Sequence, residues 1–175
     1  MAQKISAPEG GATLSRFIAA AVEQRVSKAG QTTLGAVPAP ARTFLDTNIL
    51  LYAEDPRDNR KQQIALALIV EHRRQRTGVI SIQVLQEFFV NATAKLKLDV
   101  DVARYKVEFH SGFQVVEPTS GDVLAAIDFQ RLHRVSFWDA LILHSAKQAG
   151  CRVLLSEDMQ QGQTIDGVRI VNPFL

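Results

Sequence analysis

From residue 43 onward, short apolar runs alternate with longer segments whose apolar residues recur at helical spacing. This alternation constrains the fold most, because strands separated by helices pair in parallel and need helices on both faces of the sheet. We therefore predict an α/β fold with three α/β/α layers around a parallel five-stranded sheet. The predicted strands are Thr43–Leu45, Gly78–Ser81, Gln114–Glu117, Cys151–Leu155 and Val168–Val171.

A proline-rich and glycine-containing segment, QTTLGAVPAPAR at residues 31–42, predicts a linker. Before it, the apolar residues between Leu14 and Val26 recur at helical spacing and predict one amphipathic helix. A lone helix has no core of its own, so it must dock on the rest of the chain, pair with a second copy, or fray. The chain thus divides into an N-terminal helix and linker (residues 1–42) and a domain (residues 43–175).

Composition excludes several classes of protein. No apolar run reaches the roughly 18 residues of a membrane span, and residues 1–42 lack the order of a secretory signal, so we expect a cytoplasmic protein without membrane contact. The single Cys151 lies in an apolar run, which excludes an internal disulfide and predicts a buried thiol. The formal charge of +2 is too small to indicate a nucleic-acid partner by itself.

Four acidic residues stand near the carboxyl ends of predicted strands. Asp46 and Asp158 follow apolar strands, Asp139 opens the helix that leads into the Cys151 strand, and Glu87 lies on the helix that leaves the Gly78 strand. Carboxyl ends of parallel strands share one edge of a sheet, where ligands bind. We therefore expect the four carboxylates to lie close together.

Each acidic residue also has an ordinary structural role open to it. Asp46 is a candidate helix cap, and Asp139, three residues after Ser136, completes a capping-box spacing. A cap equally explains one acidic residue of the Glu157–Asp158 pair, and a solvated helix face explains Glu87. Single residues therefore do not distinguish structure from function.

The four acidic residues together favour a metal site. Carboxylates crowded at one edge repel each other unless they are protonated or share a cation, and hard oxygen ligands suit Mg²⁺ or Mn²⁺. Such ions support phosphoryl chemistry, because they activate water and stabilise charge on the phosphate. The pattern thus indicates metal-dependent phosphoryl chemistry.

Four stretches in order, FLDTNILLYAED, VISIQVLQEFF, SFWDALILHSAKQAGCRVLLSEDMQ and GVRIVNPF, resemble the PIN-domain family and within it the VapC-like toxin ribonuclease branch. The resemblance covers residues 43–175. It implies a metal-dependent endoribonuclease acting on RNA, using Mg²⁺ or Mn²⁺ and inhibited by a cognate antitoxin protein. Such toxins begin within a few residues of the first aspartate, so residues 1–42 depart from the pattern. The expected partners also include a second copy of the chain, in a homodimer.

The resemblance implies a role for particular residues. The acidic metal-binding and catalytic quartet would be Asp46, Glu87, Asp139 and Asp158, supported by the small polar residues Thr47, Asn48 and Ser156. Independently of the resemblance, positive charge makes five residues candidates for lining a substrate groove: Arg57, Arg60 and Lys61, with Lys95 and Lys97 as further candidates. Phe137 and Trp138 are interpreted as core anchors beside the site.

Two other classes of protein compete with this interpretation. An aspartyl-phosphate enzyme would carry a second aspartate two residues after Asp46, where Asn48 stands, and a lysine at a strand end. A non-catalytic PIN-like module that binds nucleic acid or an antitoxin is the stronger alternative, because a fold can outlast its chemistry. Retention of all four acidic residues argues against that module.

Overall fold

The structure, a computed structural model, describes residues 41–175. The predicted N-terminal helix and nearly all of the predicted linker lie outside these residues. The elements in chain order are β1 (Thr43–Leu45), α1 (Thr47–Glu54), α2 (Asn59–Gln75), β2 (Gly78–Ser81), α3 (Ile82–Ala94), α4 (Val100–His110), β3 (Gln114–Val116), α5 (Ser120–His133), α6 (Phe137–Gln148), β4 (Val153–Leu155), β5 (Thr164–Ile165) and β6 (Val168–Val171).

The sheet contains six strands in the order β3-β2-β1-β4-β6-β5. The five predicted strands are all present and parallel to one another. The sixth strand, β5, was not predicted and pairs antiparallel with β6. A two-residue turn joins them, in which Asp166 and Gly167 have φ of 49° and 83°. An Asp-Gly pair is typical of such hairpin turns, so a local signal for β5 was present in the sequence.

Helices cover the sheet in two groups. From β1 the chain steps to β2 and then to β3 in one direction, and it returns across the sheet to β4 in the other. Because crossovers between parallel strands are right-handed, α1–α4 lie on one face and α5–α6 on the opposite face. Within residues 41–175, no helix is long and apolar enough to cross a membrane.

The core lies where β1 and β4 run through the middle of the sheet. Phe44, Leu45 and Leu154 are buried there, and Ile170 on β6 extends the same apolar layer. The Cys151 prediction is confirmed: the thiol is buried, and burial raises its pKa to about 12. Since strand order reverses between β1 and β4, a crevice opens at their carboxyl ends.

Candidate active site

Asp46 lies where β1 ends and α1 begins. Its backbone N–H donates to the Leu155 carbonyl at 3.0 Å, which joins the ends of β1 and β4. Its Oδ1 accepts a 2.7 Å hydrogen bond from the Thr47 backbone and caps α1. Its Oδ2 accepts a 2.6 Å bond from the Ser156 hydroxyl, just after β4. Asp46 therefore does cap a helix, but capping uses only one of its two carboxylate oxygens.

The Asp46 carboxyl group lies in a place that penalises negative charge. The residue is 5% exposed. Its pKa is raised to about 6, chiefly by burial, with the charges of Asp158 and Glu87 adding to the rise. Hydrogen bonds from Ser156 and Thr47 oppose it. The ionised form of Asp46 would thus be stabilised by a cation bound nearby.

Gln83 and Glu87 lie one turn apart on α3 and face the start of α1. Thr47 Oγ1 donates to Glu87 Oε2 at 2.7 Å, and Gln83 Nε2 donates to Glu87 Oε1 at 2.8 Å. Gln83 is buried and Glu87 half-buried, so this polar face is not a solvated surface. Gln83 was not among the predicted site residues, although its i,i+4 spacing from Glu87 was a signal for the contact.

Asn48 and Ser156 connect Asp46 to Asp158. The Asn48 amide nitrogen lies 3.4 Å from Asp46 Oδ2 and 3.3 Å from Asp158 Oδ2. The Ser156 hydroxyl is fully buried, donates to Asp46, and accepts from the Asp158 backbone N–H at 3.2 Å. Three of the predicted carboxylates, those of Asp46, Glu87 and Asp158, are thereby tied together through the small polar residues.

Asp139 lies in the first turn of α6, where its backbone N–H donates to the Ser136 hydroxyl at 3.1 Å. Among residues 41–175, the Asp139 side chain does not form the reciprocal capping-box bond with the Ser136 backbone. Thr119 and Asp122, at the start of α5, form both bonds of such a box. No hydrogen bond or ion pair from residues 41–175 reaches the Asp139 carboxylate. Capping therefore does not account for this carboxylate.

The aromatic pair before Asp139 divides into one half-buried and one exposed residue. Phe137 packs against the core, as predicted. Trp138 is 60% exposed, so its prediction as a core anchor was wrong. Successive residues of an α-helix point about 100° apart, and only one of two neighbours can face the sheet.

A cleft of about 200 Å³ opens beside the carboxylates, and Asn48, Asp158, Arg57 and Lys95 line it together with Asn91. The Arg57 side chain is 70% exposed, and Asp55 holds its guanidinium through two 2.7 Å contacts. Of the three basic residues that were the first candidates for a substrate groove, only Arg57 lines the cleft.

The other two favoured basic residues have partners within the domain. Arg60 donates to the Phe174 carbonyl at 2.7 Å. The Lys61 ammonium contacts the Glu157 carboxylate and lies 3.0 Å from Tyr52 Oη. Arg60 and Lys61 therefore hold the fold together, and the sequence did not distinguish them from Arg57.

The donor chemistry of the site fits a hard divalent cation. As they stand, no three His, Cys, Asp or Glu side chains of residues 41–175 are arranged to hold a metal ion. Two buried oxygens beside the carboxylates, Asn48 Oδ1 and Gln83 Oε1, have no hydrogen-bond partner among the described residues. Buried acceptors left unpaired cost about 1–3 kcal/mol, so water or a cation would stabilise them. Carboxylate and amide oxygens are ligands that suit Mg²⁺ or Mn²⁺.

Comparisons with known proteins agree with the fold. The family model described as PIN domain matches residues 43–164. A Mycobacterium tuberculosis VapC20 structure, described as a sarcin-ricin loop cleaving toxin, is 17% identical with a TM-score of 0.56 and covers 66% of this chain and 89% of its own.

Two complexes are also similar in structure. A toxin–antitoxin complex from Klebsiella pneumoniae is 19% identical with a TM-score of 0.56, covering 75% of this chain and 97% of its own. DNA-bound VapBC from Salmonella typhimurium is 20% identical with a TM-score of 0.54, covering 74% and 96%. A search of curated protein sequences gave no significant match.

Proposed function

This chain belongs to the PIN domain family, and from that premise we propose that it is a metal-dependent endoribonuclease, the toxin of a toxin–antitoxin pair. One observation carries the proposal: buried Asp46 is hydrogen-bonded across the strand ends to Ser156 and is flanked by the charges of Glu87 and Asp158. Such a concentration of carboxylates weakens a fold unless it binds something. The similar structure described as a sarcin-ricin loop cleaving toxin supports the same reaction class.

Asp46, Glu87, Asp139 and Asp158 would hold Mg²⁺ or Mn²⁺. When bound, such an ion activates water for attack on a phosphodiester and stabilises the charge that develops on the phosphate. The chain's other residues set the geometry: Ser156 orients Asp46, Thr47 and Gln83 orient Glu87, and Asn48 lies between Asp46 and Asp158. Each orienting bond fixes a carboxylate before the substrate arrives, which reduces the reorganisation needed for reaction.

The proposed partners are an RNA substrate and a cognate antitoxin. The toxin–antitoxin complexes similar in fold support an antitoxin partner. We propose that this antitoxin covers the acidic crevice and inhibits the site. Arg57 is the side chain we assign to the RNA backbone, since it lines the cleft beside Asp158 and is largely exposed.

The proposal is tested by cleavage of total RNA with Mg²⁺, with Mn²⁺ and with chelator. Wild type should cut only with metal, and Asp139→Asn should lose at least about 100-fold in rate, a typical loss for a metal or general-base function. The cap to Ser136 uses the backbone of residue 139, so this variant should remain folded. Asp128→Asn, at an exposed position on α5, is the matched control and should cut at the wild-type rate.

The non-catalytic alternative makes a different prediction. A binding module would shift RNA in a gel without shortening it, whatever the metal. Wild-type rates in a folded Asp139→Asn variant would show instead that Asp139 has no part in the site.

A further inference from the structure

Trp138 is the only tryptophan in the chain, and it is exposed in the first turn of α6, directly before Asp139. Its exposed fraction is 60%, larger than that of any other aromatic residue in the described part of the chain. Placing so large an apolar side chain in water sacrifices the stabilisation that burial would provide. Exposure leaves an aromatic face of Trp138 free to bind a ligand, and its place beside Asp139 distinguishes it from the exposed Tyr105 on α4.

A single amide group connects Trp138 to the candidate site. Gln83 Nε2 lies 2.8 Å from Glu87 Oε1 and 3.5 Å from the Trp138 carbonyl oxygen. The Trp138 backbone and the Glu87 carboxylate thus touch the same buried side chain, and Asp139 is the next residue along α6. The backbone of Trp138 is thus in contact with the polar network that holds Glu87.

The indole is also supported from one side. The rings of Phe137 and Trp138 meet edge to face, with centroids 5.3 Å apart and planes at 67°. Phe137 is in turn packed against the core. Trp138 is therefore held by a half-buried neighbour while most of its surface stays open.

We propose that Trp138 is a stacking platform for an unpaired base of the RNA substrate, next to the phosphate that lies at the carboxylates; this inference rests on the proposed function. Aromatic side chains bind unstacked bases in this way, each contributing about 1–3 kcal/mol. A base inside a duplex has both faces covered by its neighbours. The site accordingly selects single-stranded RNA.

The charge of the site favours stacking over ionic attraction. Acidic side chains at the crevice repel a phosphate backbone, and Arg57 and Lys95 are the only cationic side chains lining the described cleft. Contact between a neutral base and a neutral indole avoids that repulsion. Trp138 thus supplies affinity where additional basic residues would pair with the metal-binding carboxylates.

Because Trp138 is the sole tryptophan, its fluorescence reports on the site directly. A short oligoadenylate should quench the fluorescence of the full-length protein saturably in an Asp46→Asn background, which prevents cutting in Mn²⁺. A duplex RNA of the same length should quench far less. Steady-state cleavage by the otherwise unaltered chain provides a second readout.

Replacing Trp138 by alanine should weaken single-strand affinity by about 10-fold and raise KM more than it lowers kcat, consistent with the loss of one stacked base. Trp138→Phe should recover most of the affinity because it keeps an aromatic face. Tyr105→Ala is the matched control, since Tyr105 is 57% exposed on α4, and it should leave RNA affinity unchanged. Thermal melts establish that each variant is folded.

Unchanged RNA affinity in folded Trp138→Ala, or no quenching by single-stranded RNA, would overturn the proposal. A variant that only converts a dimer to a monomer, with RNA affinity per protomer unchanged, would assign the indole to a contact between copies and also overturn it. Quenching and Trp138-dependent binding without cleavage would sustain base stacking while contradicting the endoribonuclease. Cleavage that does not depend on Trp138 would sustain the endoribonuclease and contradict base stacking by Trp138.

Discussion

Lys61 on α2 forms an ion pair with Glu157, the residue that directly precedes Asp158. Tyr52 Oη contacts both partners, and the Lys61 ammonium lies 4.4 Å from the centre of the Tyr52 ring. Glu157 and Asp158 are neighbours in sequence but have different roles. Glu157 is bound to the body of the domain, whereas Asp158 faces Asn48 and the cleft.

Lys61→Met should weaken Mn²⁺ affinity by about 10-fold, because a loosened Glu157 no longer holds the loop that carries Asp158. Lys61→Arg keeps the charge and should retain most of the affinity. Calorimetric titration of Mn²⁺ is the measurement. Lys106→Met removes a comparable ion pair, the 2.9 Å contact with Glu54, and serves as the control. If both methionine variants lose stability alike and neither loses Mn²⁺ affinity, Lys61 does not position the metal site.

Asp46→Asn tests whether the carboxylates are helix caps or metal ligands. A capping role alone predicts destabilisation by about 1 kcal/mol or less, with or without metal. Mutual repulsion predicts a neutral or stabilising effect in chelator, because one buried charge is removed. Mn²⁺ at 100 times its dissociation constant should raise the wild-type free energy of unfolding by about 2.7 kcal/mol and that of the variant much less. Denaturant melts of both proteins, with chelator and with Mn²⁺, separate these cases. If Mn²⁺ leaves the free energy of unfolding of the wild type unchanged, the carboxylates are helix caps and not metal ligands.

Arg57→Ala should raise KM for RNA by about 5-fold and flatten its salt dependence, because one phosphate contact is lost. The matched variant is Arg60→Ala, which removes the hydrogen bond to the Phe174 carbonyl. It should lower the melting temperature and leave KM unchanged. Steady-state cleavage at several salt concentrations measures both effects. A raised KM in Arg60→Ala with an unchanged KM in Arg57→Ala would place the RNA beside Arg60 instead.

His110 should make stability depend on pH. It is 1% exposed among Phe88, Phe109 and Phe113, and neither of its ring nitrogens has a partner within residues 41–175. Its pKa is lowered from 6.5 to about 3, first by burial and then by the positive charges of Lys106 and Arg73. Between these values the unfolded chain binds a proton that the folded chain does not. Stability is therefore lost as pH falls below 6.5.

His110→Leu removes this titration at similar volume. The free energy of unfolding of the variant, relative to wild type, should increase by about 2 kcal/mol between pH 7 and pH 5. Denaturant melts at both pH values measure it, and other titrating groups cancel in the difference. A constant difference would show that His110 protonates as readily in the folded state as in the unfolded one.

A chain beginning at Ala41 should fold and cut RNA, since the described core and every proposed site residue lie within residues 43–175. It should begin no later, because the Arg42 guanidinium donates to the Ala149 carbonyl at 2.9 Å. Solubility, melting temperature and cleavage rate are compared with the full chain. Insolubility of the shortened chain would indicate that the Leu14–Val26 segment completes the core or an oligomer interface.

The sequence by itself determined the five parallel strands, the alternation of helices with them, and the edge of the sheet at which the acidic residues stand. Apolar periodicity is local, so β1, β2 and the helices after them could be assigned from neighbouring residues alone. Parallel strands then require Asp46 and Asp158 to lie at the same edge. The Asp-Gly turn before β6 carried an equally local signal, but β5 is only two residues long and leaves no periodicity to detect.

The tertiary structure alone decided which polar groups meet. Arg57, Arg60 and Lys61 lie within five positions of one another, yet Asp55, the Phe174 carbonyl and Glu157 give them different environments. Likewise, only the packing of α6 on the sheet half-buries Phe137 and exposes Trp138. Such partners are distant in sequence, and a side chain's burial and charge depend on what folding brings beside it.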